Sequence, residues 1–269
     1  MAIQFRNSFL KNYLEEAPLP LALERSLECE ILSQQNFIRP ILDIGCGEGV
    51  FAHILFAEKI DIGIDPNSEE INKAREYEAY HELICCKGDA IPKENESFNT
   101  IFSNSVMEHI KELEPVLVEA ARLLKKEGYL YLTLPTNRFE EFTFLNQVLC
   151  FLRLNNLAKK FRTFFNNFWK HYHCYEKKDW ETIFNKNGFK VVKSFEYGSR
   201  KFCTINDMLA PLCFPSFVTK KITNRWFAFP LFEKVFSKVK YFIFGKMISL
   251  NEIDIKEGGL IFFQLKKDV

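Results

Sequence analysis

Three alternate glycines, Gly45, Gly47 and Gly49, close the apolar run Ile41-Leu42-Asp43-Ile44, and a helical pattern follows them. Glycine admits positive φ angles and close backbone approach, so a strand ending in this turn brings bare main chain against a ligand. The next helix is expected to offer unpaired N–H groups and a positive dipole end to something negative. A nucleotide-like cofactor meets that description. Its class stays open at this point, because a dinucleotide fold would show GxGxxG with an acid about 20 residues on, whereas here the glycines run GxGxG. Asp65, 20 residues after Gly45, ends the second strand and can accept bonds from two ribose hydroxyls in either class.

Positioning these residues requires strands and helices in regular alternation. Residues 5–36 read as one or two helices interrupted by Pro18 and Pro20. Strands are expected at 40–44, 60–65, 81–86, 98–104 and 129–135, with helices at 48–57, 67–80 and 113–126 between them. Asn67 or Ser68 is available as a cap, Pro115 suits a first turn and Gly128 a helix end. Such alternation predicts right-handed crossovers and a parallel sheet covered on both faces. Ligands then bind beyond the carboxyl ends of the strands, where the strand order reverses. Asp43 lies inside the first strand, placed to hold the loop or meet an amino group. Gly88-Asp89-Ala90 follows the third, and Ser103-Asn104-Ser105-Val106-Met107-Glu108-His109 the fourth. Regularity lapses after Pro135. A helix over 177–187, a strand over 189–197 and a last strand over 259–265 complete the reading.

The segments ILDIGCGEG, GIDPNSEEINKAR, GDAIPKENESFNTIFSNSVMEHI and GYLYLTLPT, in this order, resemble the class I S-adenosylmethionine-dependent methyltransferases. The resemblance is strong over residues 38–136 and resumes at 174–192 and 258–266. It implies an α/β Rossmann-like three-layer sandwich, with a mostly parallel seven-stranded sheet whose last strand is antiparallel. It implies S-adenosylmethionine as cofactor, with the backbone of Gly45, Cys46 and Gly47 against its methionine portion. Asp65 then takes the ribose diol, Pro66 packs beside the adenine, Asp89 and Ala90 read the adenine edge, and Asn104 and Ser105 lie near the sulfonium. On this reading residues 1–269 form a single methyltransferase domain. N-terminal helices occupy 1–37, the cofactor-binding core 38–136, and helical, aromatic-rich lid insertions 137–174 and 199–256.

Methyl transfer is an in-line displacement, so holding nucleophile, methyl and sulfur in line supplies much of the rate. An oxygen or nitrogen acceptor must also lose a proton, and a base helps. The candidates are His109, near the sulfonium end, and His171 and His173, which bracket Tyr172 before the late helix. Val106-Met107-Glu108-His109 is similar to the ExxEH metal site of quinone-pathway and small-RNA methyltransferases. Ser105 replaces its first carboxylate and is a poor ligand, so no metal is expected.

Phenylalanine, with 29 copies, crowds into 139–169 and 195–244. Span 199–246 carries nine basic residues against Asp207 and Glu233, and Leu231, Phe232, Val235, Phe236, Val239, Phe242 and Ile243 fall at helical spacing within it. The two insertions are expected to form a lid lining an apolar acceptor pocket with a basic mouth. The expected acceptor is a small molecule, glycan or lipid-linked compound with apolar and anionic parts, methylated on oxygen. The rival readings are a quinone- or lipid-directed enzyme at a membrane surface and a donor-binding protein without activity. A formal net charge of +1 argues against a general nucleic-acid partner. Eight scattered cysteines without a CxxC pair suit a reducing, cytoplasmic setting, with peripheral contact to a membrane face, since no stretch is long enough to span one.

Overall fold

The computed structural model describes residues 3–223, 225–227, 230–245 and 252–268. Two helices lead, α1 (Phe9–Glu16) and α2 (Leu19–Ser33). They part at Pro18, and Pro20 lies in the first turn of α2, where a missing N–H costs nothing. The alternating core follows as β1 (Ile41–Ile44), α3 (Val50–Leu55), β2 (Ile60–Asp65), α4 (Ser68–Glu76), β3 (Tyr80–Cys85), β4 (Phe98–Asn104), α5 (Leu113–Leu123) and β5 (Leu124–Pro135). Asn67 caps α4 by accepting the Glu69 N–H at 2.9 Å.

Between β5 and the sheet's second half come α6 (Phe144–Phe151), α7 (Asn155–Trp169) and α8 (Lys177–Lys186). Then follow β6 (Phe189–Ser199), α9 (Arg200–Leu209), α10 (Phe214–Thr223), α11 (Pro230–Phe244), β7 (Ile253–Ile255) and β8 (Gly258–Lys267). The apolar spacing seen around 231–243 is therefore helical. The side chains of Leu231, Phe232 and Val235 lie outside the described residues, as do Lys234 and Lys246.

The strand order is β3-β2-β1-β4-β5-β8-β6-β7. β1 to β5 pair in parallel, and β8 runs antiparallel to both β5 and β6. The order reverses between β1 and β4, which places the switch point where the glycine loop and the 104–109 turn emerge. Eight strands replace the expected seven. The extra strand, β7, pairs with Glu196 and Tyr197 of β6 and uses residues assigned by sequence to the lid. Three residues are too few to display a strand's period. A second correction concerns Gly128, expected beyond a helix end but found inside β5. The strand begins four residues earlier, at Leu124 opposite Phe98, and a shift in register before Thr100 absorbs the extra length.

Alternation along the strands fills both faces of the sheet. Phe102, Tyr131, Tyr197 and Phe262 pack beneath α1, α2 and α3. Their neighbours Ile101, Leu130, Ile261 and Phe263 pack against α5 and α8, where Trp180 and Phe184 are fully buried. Period two is what lets one strand feed both cores.

Candidate active site

The glycine loop is drawn across the end of β2. The N–H groups of Gly45 and Cys46 both donate to the Ile64 carbonyl at 2.9 Å. Gly45 has φ 83°, and a Cβ there would meet Val106 Cγ1 at 2.5 Å, so the turn after β4 closes directly on the loop. Gly47, at φ 51°, instead faces open space, with nothing within 4 Å of an added Cβ. Its N–H donates to Asp65 Oδ2 at 3.1 Å, and the Asn67 N–H to Oδ1 at 2.8 Å. Two backbone donors thus hold the carboxylate while leaving each oxygen a lone pair. Pro66, Asp89 and Ala90 lie exposed past the ends of β2 and β3. Gly88 brings that loop beside Ile44. The following helix is shorter than expected, only Val50–Leu55, so its dipole adds little.

An open glycine cradle beside a braced carboxylate fits S-adenosylmethionine, whose methionine portion needs bare main chain and whose ribose needs an acceptor for two hydroxyls. Asp43 is buried inside β1 and accepts the Tyr80 hydroxyl at 2.7 Å. Burial raises its carboxyl to about 7, against the lowering effect of that bond. Cys46 is buried, with its thiol pushed up by desolvation. Glu48, next in the loop, receives the ammonium groups of Lys73 on α4 and of Lys220 on α10. α10 therefore reaches to the glycine loop.

Asn104 and Ser105, placed by sequence near the sulfonium, spend their side chains elsewhere. Asn104 Nδ2 donates to Glu28 Oε2 at 2.8 Å, and Ser105 Oγ to Glu28 Oε1 at 2.8 Å. Tyr197 donates to the same Oε1 at 3.1 Å and Arg25 to Oε2 at 2.5 Å. Glu28, fully buried on α2, joins α2, β4 and β6 at the switch point. Sequence reasoning missed it, because an acid inside a helix carries no local mark of this role.

Beside this hub is a cavity of about 320 Å³. Phe139, Phe165, Trp169, Phe202, Phe217 and Trp226 supply aromatic walls, and Glu24, Arg25, His109, His171, Asn206 and Asp207 supply polar ones. The expected basic mouth is not formed by these walls. Arg25, the cation among the described lining residues, is committed to Glu28 and lies 3.6 Å from Glu24. Desolvation raises the Glu24 and Asp207 carboxyls, so the cavity's polar end is neutral to acidic.

Two of the three expected histidines meet at this cavity, with ring centroids 5.1 Å apart. His109 Nδ1–H donates to the Lys170 carbonyl at 3.3 Å, which leaves the lone pair on Nε2, 3.9 Å from Glu108 Oε1. Burial lowers its pKa. His171 Nδ1 is buried without a partner. Desolvation first, then the charges of His109 and Arg25, lower that ring to about 4. His173 is separate from the pair. Its Nε2–H donates to the Ile110 carbonyl at 2.8 Å, and its Nδ1 accepts the Tyr175 hydroxyl at 2.9 Å. Among the described residues no three His, Cys, Asp or Glu side chains converge to hold a metal ion.

Glu108 is buried with Oε2 unpartnered, and burial raises its carboxyl to about 8. Both Glu108 and Asp43 are held above their unfolded pKa values, so the folded chain keeps protons that the unfolded chain releases. Their contribution is fully present below pH 4 and is lost as pH rises through about 7 to 8. The melting temperature is expected to fall between pH 5 and pH 9, and less steeply in Glu108→Gln. Equal slopes for the two proteins would show that Glu108 is not titrating in this window.

The methyltransferase-domain family matches residues 7–194. Over 102 residues the chain is 28% identical to a mitochondrial ubiquinone biosynthesis O-methyltransferase of Mus musculus, covering 35% of this chain and 28% of that protein. The chain thus spans under a third of the length of that relative. A methyltransferase structure from Thermotoga maritima superposes with a TM-score of 0.56 at 18% identity, over 93% of this chain and 92% of that one. The phosphoethanolamine N-methyltransferase 2 of Haemonchus contortus, bound to phosphomonomethylethanolamine and S-adenosylhomocysteine, gives 0.52 at 18% identity over 94% and 54%. A glycine cradle against a braced Asp65, set at the reversal point of a mostly parallel sheet, agrees with the family match: the chain belongs to the class I S-adenosylmethionine-dependent methyltransferases.

Proposed function

We propose that the protein methylates an oxygen of a small molecule whose apolar body lies in the aromatic cavity and whose polar end is neutral or cationic. The observation that carries this reading is the cavity itself. Its aromatic walls meet His109 and His171, and His109 follows by one turn Val106, which covers Gly45. The names of the curated relatives favour oxygen. The neutralised Arg25 disfavours the anionic acceptor expected from sequence, since a buried carboxylate beside Glu24 and Asp207 would go unpaired.

Bound S-adenosylmethionine supplies an electrophilic methyl on a positive sulfur. The chain's own residues then have three tasks. Gly45, Cys46 and Gly47 seat the methionine portion, and Asp65, Pro66, Asp89 and Ala90 fix the nucleoside. The aromatic cavity aligns the acceptor and excludes water. His109 Nε2 takes the acceptor's proton. His173, with both ring nitrogens bonded, positions the 171–175 segment.

Two measurements test this. Asp65→Ala is expected to weaken donor binding by about 2–4 kcal/mol, roughly 30- to 700-fold in Kd, since two charge-assisted bonds are lost. Unchanged affinity by calorimetry would overturn the ribose assignment. With labelled donor, hydroxylated apolar acceptors are expected to outpace their carboxylate-bearing analogues by roughly tenfold or more. Faster transfer to the carboxylates would sink the neutral-acceptor reading.

A further inference from the structure

Large apolar side chains that face solvent concentrate on the helices added to the sheet. Phe151 is 86% exposed, Phe168 64%, Leu212 74% and Ile222 78%. These residues sit on α6, α7, the turn Ala210–Cys213 and α10, and those elements join into one surface. Trp169 of α7 meets Phe217 of α10 with ring centroids 6.0 Å apart. Phe144, Phe161 and Met208 line a hollow shared by α6, α7 and α9. A contiguous apolar patch of this kind marks an interaction site.

Charge decides what covers it. Residues 144–170 contain Arg153, Lys159, Lys160, Arg162 and Lys170 and no acidic residue, and α10 adds Lys221; Arg162 is paired with Glu140, and Asp207 lines the hollow, which leaves the face an excess of positive charge. Most of these side chains are exposed. Two copies of the chain meeting through this face would set one sign of charge against itself. An anionic lipid surface instead gains attraction with each basic residue brought near it. Apolar side chains flanked by lysine and arginine are the composition of helices that lie in a headgroup layer. Trp169 and Phe217 are each 39% exposed and also wall the cavity, so the patch and the cavity share a border.

We infer that the α6–α7–α10 face docks on an anionic lipid surface and that the acceptor enters the cavity from it. This goes beyond the oxygen-acceptor reading, and binding to vesicles is measured without turnover, so either can fail alone. The test is co-sedimentation of the full chain with phosphatidylcholine vesicles containing about 30 mol % phosphatidylglycerol, against pure phosphatidylcholine. Partitioning is expected to be at least about tenfold stronger on the anionic vesicles and to weaken as salt is raised. Tryptophan fluorescence is expected to shift to the blue on binding through Trp169 and the half-buried Trp226 beside Phe217, because Trp180 is already buried. The triple variant Phe151→Ser, Leu212→Ser, Ile222→Ser changes only exposed positions and is expected to lose at least about tenfold in partitioning while keeping donor affinity. Equal partitioning of variant and wild type overturns the inference. So does a dimer in sedimentation analysis that the same substitutions dissociate while vesicles remain unbound, which would assign the face to a second copy.

Discussion

His109→Ala is expected to lower kcat by roughly 10²- to 10⁴-fold, the range removed with a general base, while leaving donor affinity within about twofold. The Lys170 carbonyl fixes the proton on Nδ1 and leaves the lone pair on Nε2, 3.9 Å from Glu108 Oε1, as the one that would take the acceptor's proton. His171→Ala is expected to cost less. A ring held near pKa 4 is neutral at physiological pH but a weaker base than its neighbour. The pH profile separates the two. A base works above its own pKa and fails as pH falls through it, and burial holds His109 below the ordinary histidine value. The acid limb of kcat/KM is therefore expected below pH 6.5. A limb at or above that value, or an alanine variant with full turnover, would remove His109 from the chemistry.

The second large effect falls on stability. Glu28→Ala is expected to cost about 3–5 kcal/mol, because it removes the buried partner of the Arg25 guanidinium and leaves that charge to Glu24, 3.6 Å away with a carboxyl raised by burial to about 7. It also leaves Asn104, Ser105 and Tyr197 without an acceptor. For a chain of this size that corresponds to a fall of roughly 6–20 °C in Tm. Adding Arg25→Met to Glu28→Gln is expected to recover part of the loss, since the unpaired charge then disappears. A melting temperature within about 2 °C of wild type for Glu28→Ala would mean that water already serves these groups.

The glycine turn and the placement of Asp65 beside it were legible because their determinants are local. Gly45 and Gly47 need positive φ, and Asp65 needs only to end the next strand, so a dozen consecutive residues at each place carry the signal. Asn104 and Ser105 show where this breaks down. Their position after β4 was legible, yet their side chains turn to Glu28, 76 and 77 residues away in sequence. The three histidines illustrate the same limit. His171 and His173 look equivalent as letters, but the bonds of His173 to Tyr175 and Ile110 leave only His171 beside His109.

What the sequence determined by itself was the alternation of strands and helices, the two-sided core and the glycine turn, because each rests on periodicity or on turns spanning a few residues. Tertiary structure alone decided the eighth strand, the Glu28 hub, the neutralised Arg25 and which aromatic side chains wall the cavity. Those features arise where α2, β4, β6 and the added helices converge. A side chain's charge and hydrogen-bond partners there depend on neighbours up to 169 residues distant, and no local pattern records them.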